Sequence, residues 1–188
     1  MSVMDGLIYD RNSSDRDRAL FLREKGWANM TAAERSEYLT SMKGAYNSSD
    51  ANRVGEAVVF LMGYLNAVQG VIDAYRAQKG VAPADIFNVG WGPISLTVKT
   101  DWTTGDFPTP DEMESYLSNV ATVTRAITVT RTLPDDMDFL TFGEANDIER
   151  ALSNEYDTAQ LFTLAKKRLV DMAALSFIYS DEFQSGEV

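Results

Sequence analysis

Residues 50–80 read DANRVGEAVVFLMGYLNAVQGVIDAYRAQKG, and within them Val54, Ala57, Val58, Leu61, Met62, Leu65, Val68, Ile72 and Tyr75 recur at spacings of three and four. Side chains of an α-helix return to one side every 3.6 residues, so this spacing is one continuous apolar face. The stripe lasts for about seven turns and stops at Gly80, a residue suited to a helix end. A helix of that length cannot be peripheral in a chain of 188 residues. The spacing predicts the spine of a helical fold.

The flanks agree with it. On the N-terminal side a short helix is expected over Ser13–Lys25, with Ala19, Leu20 and Leu22 inward and Gly26 as its stop. After a turn through Trp27, Thr31-Ala32-Ala33-Glu34 is a capping box that opens a second short helix to about Lys43, with Tyr38, Leu39 and Met42 on one stripe. On the C-terminal side Pro83, Gly90, Gly92 and Pro93 break the period. Ile94-Ser95-Leu96-Thr97-Val98 then alternates apolar and polar residues, which predicts a short strand or small hairpin around 94–99.

Thr109-Pro110-Asp111-Glu112 supplies a cap, a proline at the first helical position and an acid at the third, followed by Met113, Tyr116, Leu117, Val120 and Val123 as the buried stripe. The β-branched run Ile127-Thr128-Val129-Thr130 ends that helix, and Leu133-Pro134-Asp135-Asp136 is a loop. A last helical region runs from Glu144 towards Tyr179, with a weak point at Ser153-Asn154, and the polar tail 180–188 is expected to be mobile or bound to a partner. The fold class is therefore mainly α: a bundle of about five helices with one long central helix and a short strand or hairpin. It divides into an N-terminal helical part (1–80), a loop and short strand (81–108), a C-terminal helical part packed on the first (109–179) and the tail, forming one domain overall.

Helix starts are reused. Asn-Ser-Ser-Asp occurs at 12–15 and again at 47–50, and Thr141-Phe142-Gly143-Glu144-Ala145-Asn146 echoes Asn47-Ser48-Ser49-Asp50-Ala51-Asn52. The first residue can accept a backbone N–H of the first turn, and the acid three residues later can reach back while favouring the positive end of the helix dipole. Asn52 and Asn146 fall at the same place in their repeats. They are either buried polar groups that set helix register or exposed residues of the first turns.

Composition removes much chemistry. The chain has no Cys and no His, which excludes disulfides, thiolate metal sites, the usual zinc and non-haem iron sites, and Ser-His or Cys-His nucleophiles. No run approaches about 20 apolar residues, and the N-terminus has neither the basic start nor the apolar stretch of a signal peptide. Net charge is −11, and residues 99–188, with 7 Lys+Arg against 17 Asp+Glu, carry nearly all of it. Such a field disfavours nucleic acid phosphates and anionic membranes, and Lys166-Lys167-Arg168 reads as a solvated helix face.

Candidate sites are few. Asp135, Asp136 and Asp138 resemble part of a calcium loop but lack the central Gly and the distant bidentate Glu. Asp101 and Asp106 fit turn chemistry better than a catalytic pair. Trp27, Trp91 and Trp102 form either an aromatic platform or loop anchors on the core. No catalytic, cofactor-binding or metal-ligating residue is nominated, and no cofactor is expected. Phe87, Trp91 and Phe183 combine apolar rings with loop chemistry and are the candidate partner contacts.

Several strings carry a resemblance. Tyr9-Asp10-Arg11, Lys25-Gly26-Trp27-Ala28-Asn29-Met30-Thr31, Met42-Lys43-Gly44-Ala45-Tyr46-Asn47, Asp50-Ala51-Asn52-Arg53-Val54, Lys99-Thr100-Asp101-Trp102-Thr103, Pro108-Thr109-Pro110 and Glu144-Ala145-Asn146-Asp147-Ile148-Glu149 resemble a module in minor structural proteins, associated with the tail or virion, of phages and prophages of Gram-positive bacteria. The ending Phe177-Ile178-Tyr179-Ser180-Asp181-Glu182 with Ser185-Gly186-Glu187 is similar to that module's Tyr-Ser-Gly-Glu ending, with Asp181 where Gly is usual. The likeness covers about 7–61 and 95–187, in order, and departs over 63–93, which is longer here.

The resemblance implies a non-enzymatic structural component of a phage or phage-derived particle, in the tail or baseplate region. It would be made in the bacterial host cytoplasm, located in the virion, and paired with other virion structural proteins in repeated copies, without nucleic acid or membrane. The alternative from another class is an acidic decoy or inhibitor that imitates nucleic acid, motivated by the charge of the second half. A carbohydrate enzyme working through carboxylates alone needs two acids converging about 5 to 10 Å apart, and no pair is nominated.

Overall fold

The computed structural model describes residues 2–79, 92–127 and 132–184, with residues 75, 76, 78, 79 and 165–184 described by their backbone alone. It contains α1 (Ser13–Lys25), α2 (Ala32–Thr40), α3 (Ser48–Lys79), α4 (Pro110–Thr124) and α5 (Phe142–Gln184), with 3-10 turns at Val3–Gly6 and Trp27–Asn29. The five helices match the number and the starts expected from the caps.

Each helix opens on a capping box. Asn12 and Asp15 cap α1, Thr31 and Glu34 cap α2, Asn47 and Asp50 cap α3, Thr109 and Glu112 cap α4, and Thr141 and Glu144 cap α5. In every case the acid accepts the N–H of the capping residue, so two orphan donors of the first turn are satisfied reciprocally. At its other end α1 stops on Gly26, whose φ of 73° is open to glycine and whose N–H reaches the carbonyls of Leu22 and Arg23.

The core lies where α3, α4 and α5 pack pairwise, with the first 3-10 turn against α3 and α5. Leu61 and Leu65 from α3, Val120 and Val123 from α4, and Ile148 and Leu152 from α5 are fully buried. The α3 stripe is as its spacing requires: Val54, Ala57, Val58, Leu61, Leu65 and Val68 are buried, and Met62 and Ile72 pack partly buried against them. One expectation needs correction. By length and composition α3 could cross a membrane: within Ser48–Ala74 an 18-residue stretch reaches a mean hydropathy of 1.5. Asn66 and Gln69 interrupt the apolar run of that stretch without lowering its average below that level. Here its apolar face forms the core of the bundle.

α1 and α2 form a hairpin around a second, smaller core of Ala19, Leu22, Met30 and Met42, with Tyr38 packed on it. It is tied by the Arg18–Glu37 and Lys25–Glu34 ion pairs. Leu20 and Leu39, expected to face inward, are 37% and 46% exposed, because two short helices meet along a stripe narrow enough for Leu22 and Met42 to fill.

No strand occurs among the described residues. The alternation over 94–99 is nevertheless real in burial, with Ile94, Leu96 and Val98 half-buried and Ser95, Thr97 and Lys99 exposed. The neighbour is a helix where a strand was expected. The segment lies antiparallel along α3, with Ile94 at Asn66 and Trp102 at Asn52. Gly55 admits it: a Cβ there would stand 2.7 Å from the Lys99 carbonyl oxygen. α5 passes through Ser153-Asn154 without a break and continues beyond Tyr179, so the tail is helical in its backbone as far as Gln184. Residues 185–188 lie outside the described residues.

Candidate functional site

Three asparagines solve a problem that the absent strand creates. Backbone N–H and C=O groups packed against a helix need partners, and a carboxamide offers one donor and one acceptor side by side, as a neighbouring peptide would. Asn66 donates to the Ile94 carbonyl and accepts the Ile94 N–H, both at 2.8 Å. Asn52 does the same for Trp102, at 2.8 and 2.6 Å. Asn146 does so for Arg11, at 2.8 and 3.0 Å. Asn52 and Asn146 are thus neither a pair with each other nor idle surface groups. Each holds an extended segment against the start of a helix, and this gives the repeat its structural meaning.

Beside the Asn146 clamp lies a buried ionic cluster. Arg11, 4% exposed, bonds to Asp50 at 2.9 Å and to Glu149 at 2.6 Å. Arg53 also reaches both acids, with 3.0 and 2.7 Å contacts to the two Glu149 oxygens. Glu149 further accepts the Ile8 N–H at 2.5 Å, and Asp50 keeps its second oxygen for the Asn47 cap. Two guanidinium groups face two carboxylates, so the cluster is neutral. Burial works against the Arg53 charge, but the bonds to Glu149 and Asp50 outweigh it and raise its pKa. The cluster ties the N-terminal segment to α3 and α5, and each acid is saturated by internal bonds.

Next to it opens a cleft of about 520 Å³ between the end of α2, the loop 102–108, α4 and the loop 137–140. Tyr46, Trp102, Met113, Tyr116, Met137 and Leu140 give it a mainly apolar wall. The Tyr46 and Tyr116 hydroxyls bond to each other, and burial pushes both phenols up, so neither ionises near neutrality. Trp102 is 7% exposed, with Lys99 Nζ 4.1 Å from its ring centroid and no acceptor for its own Nε1. Asp106 and Pro108 line the cleft while Phe107 between them is 91% exposed; Asp138 and Leu140 line it while Phe139 between them is 100% exposed. Phe139 also has φ of 55°, a left-handed backbone that is rare for an aromatic residue and costs of order 1–3 kcal/mol.

A second open cleft, of about 510 Å³, shares Met113, Met137 and Asp138 with the first and continues along α4 to Arg125. The two adjoin at these residues, and the second runs as a groove along α4 with Met113, Leu117, Leu133 and Met137 among its apolar lining. These groups can bind an apolar surface.

The candidates read from sequence fall elsewhere. Phe87 and Trp91 lie outside the described residues, as does the side chain of Phe183, although its backbone belongs to α5. The side chains of Lys166, Lys167 and Arg168 lie outside them too. Trp102 lies at the cleft, whereas Trp27 stands 49% exposed under Arg35 on the α1–α2 hairpin. Asp106 accepts the Thr103 N–H and meets Lys99 at 3.5 Å, a turn, and these bonds hold its carboxyl below the usual range. Asp136 accepts the Asp138 N–H in the same manner. Among the described residues no three acids converge as metal ligands do. Sequence reasoning missed Phe107, Phe139 and the Arg11–Glu149 cluster. Arg53 and Glu149, polar residues at inward positions of their helices, were the available signal for the cluster. Comparison with known proteins finds no matching family model, no similar curated protein and no similar solved structure.

Proposed function

We propose that this chain is a non-enzymatic structural component of a phage or phage-derived particle, in the tail or baseplate region, and that it works by holding neighbouring virion proteins in position. The resemblance of its capped helix starts and loop strings to a minor virion module supports the particle. The observation that carries the contact role is a pair of exposed rings, Phe107 and Phe139, 91% and 100% in solvent, on the two loops whose adjacent residues line the mainly apolar cleft. Isolated proteins gain nothing by exposing such rings, and a partner surface buries them. Phe139 is presented at a backbone cost, which a loop with no role at a surface would shed by mutation to Gly or Asn.

In this reading the chain occurs in repeated copies, as parts of symmetric assemblies do. Mass spectrometry of washed, intact particles should find it in a fixed ratio to the major tail proteins. Its absence from them defeats the reading. One observation favours the acidic decoy as a second reading: exposed acids gather around the groove, at Glu114, Asp135, Asp136 and Asp138. That reading requires the chain to displace DNA from a basic DNA-binding protein in a gel-shift competition.

A further inference from the structure

We propose that the groove along α4 receives a cationic amphipathic segment of a partner protein, with its apolar anchors seated on Met113, Met137 and Leu117 and its Lys or Arg side chains along the rim. This deepens the reading above by giving the partner a chemistry, and it rests on that reading only in taking the occupant to be protein.

Charge complementarity selects this occupant. Among the described lining residues of the two clefts the acids are Asp106, Glu114, Asp135, Asp136 and Asp138, and the single base is Arg125 at one end. Glu114, Asp135, Asp136 and Asp138 are exposed, so a bound cation meets them without displacing a buried partner. An acidic or neutral segment would stack like charges on this rim, whereas a purely cationic one would leave the apolar floor and the two phenylalanines wet. Adaptable Met side chains suit anchors at i and i+3 or i+4 of a helical segment. Phe107 and Phe139 are exposed on loops whose adjacent residues line the groove, so a segment seated there has two further rings to bury against, and the left-handed backbone at 139 presents that ring to solvent.

The test uses the intact chain and a labelled peptide of about 16 residues with Leu and Phe on one helical face and Lys on the other. Three comparison peptides are needed: the same sequence with Glu for Lys, a scramble that breaks the apolar face, and oligolysine. Anisotropy should show saturable binding of the first peptide, weakening as salt rises from about 50 to 500 mM, and at least about tenfold weaker binding by each of the others. Glu114→Lys with Asp135→Lys should cut affinity about tenfold or more. Phe139→Gly should also weaken binding while leaving the melting temperature unchanged or raised, since the substitution relieves the backbone and removes no buried contact.

Equal binding of oligolysine would mean nonspecific attraction to a chain of charge −11 and overturn the proposal. So would equal binding of the acidic peptide, indifference to the double reversal in a chain that still melts cooperatively, or self-association abolished by that reversal, which would assign the groove to a second copy. Particle composition is measured separately. A chain present in virions that fails this test loses the groove assignment alone, and one that passes but is absent from virions loses the particle alone.

Discussion

At Ile94 the backbone N–H and C=O both end on the side chain of Asn66, and truncating that side chain removes both partners at once. A buried or half-buried polar group left unpaired costs about 1–3 kcal/mol, so Asn66→Ala should lower stability by that order in urea titration. The sharper measurement is hydrogen exchange: the Ile94 amide should lose protection while the amides of α4 keep theirs. Uniform loss across the chain would show that the clamp has no local role. The ionic cluster gives a larger effect. Glu149→Ala removes the shared carboxylate partner of Arg11, Arg53 and the Ile8 N–H and leaves the Arg11 guanidinium, in a residue 4% exposed, with Asp50 as its remaining charged partner. Breaking a buried pair from one side costs about 3–5 kcal/mol, and a melting shift no larger than that of a surface Glu→Ala control would overturn the assignment.

At the scale of the elements, helices were legible because a cap is a local event: Thr109-Pro110-Asp111-Glu112 needs nothing beyond its own four residues to bond as it does. The α3 stripe was legible for the same kind of reason, since a period is visible without knowing what the face meets. The strand was misread because alternation over 94–99 reports a half-buried extended chain and says nothing about its neighbour. That neighbour proved to be Asn52, Gly55 and Asn66 of a helix. The candidate surface was less legible still. Phe107 and Phe139 become neighbours of one cleft only when α4 is packed, and the exposure of a single Phe in a loop leaves no pattern in sequence. Two glycines of α3 separate these effects. Gly63 has nothing within 4 Å of a built Cβ, so Gly63→Ala should stabilise by about 0.5–1 kcal/mol through helix propensity. Gly55→Ala carries the same gain but drives a Cβ to 2.7 Å from a backbone oxygen, and should instead destabilise by about 1–3 kcal/mol. Equal shifts of one sign in both midpoints would deny the close approach of the 94–102 segment.

For the whole molecule, two electrostatic effects compete as pH falls. A net charge of −11 repels itself, and protonating carboxylates relieves that repulsion. Against this, Glu34, Glu112 and Glu144 of the capping boxes are held ionised by the fold. The Lys25 ammonium and the Thr31 backbone and hydroxyl groups bring Glu34 down to about 2, and the Thr109 and Thr141 backbone N–H groups lower Glu112 and Glu144. A carboxyl whose folded pKa lies below its unfolded value contributes stability that is fully present above the unfolded pKa and is lost as pH falls through the folded one. For Glu34 that window runs from 4.5 down to about 2. Because these groups are solvated, each contributes little alone, but the helix starts lose them over the same pH interval. Relief of repulsion comes first, among the acids with no such partner, so stability should change little or rise slightly from pH 7 to 5 and then fall steeply from about 4.5 to 2. Salt separates the two effects: at pH 7 raising it from about 20 to 500 mM should increase the melting temperature by screening the repulsion, and at pH 3 the increase should be smaller. The matching observable is far-UV circular dichroism on acid titration, which should lose helix below about pH 4 and lose it at higher pH in Thr109→Ala and Thr141→Ala, each of which removes a side-chain acceptor worth about 0.5–2 kcal/mol. Acid unfolding curves for both variants that coincide with the parent would show that the caps do not set the acid limit of this fold.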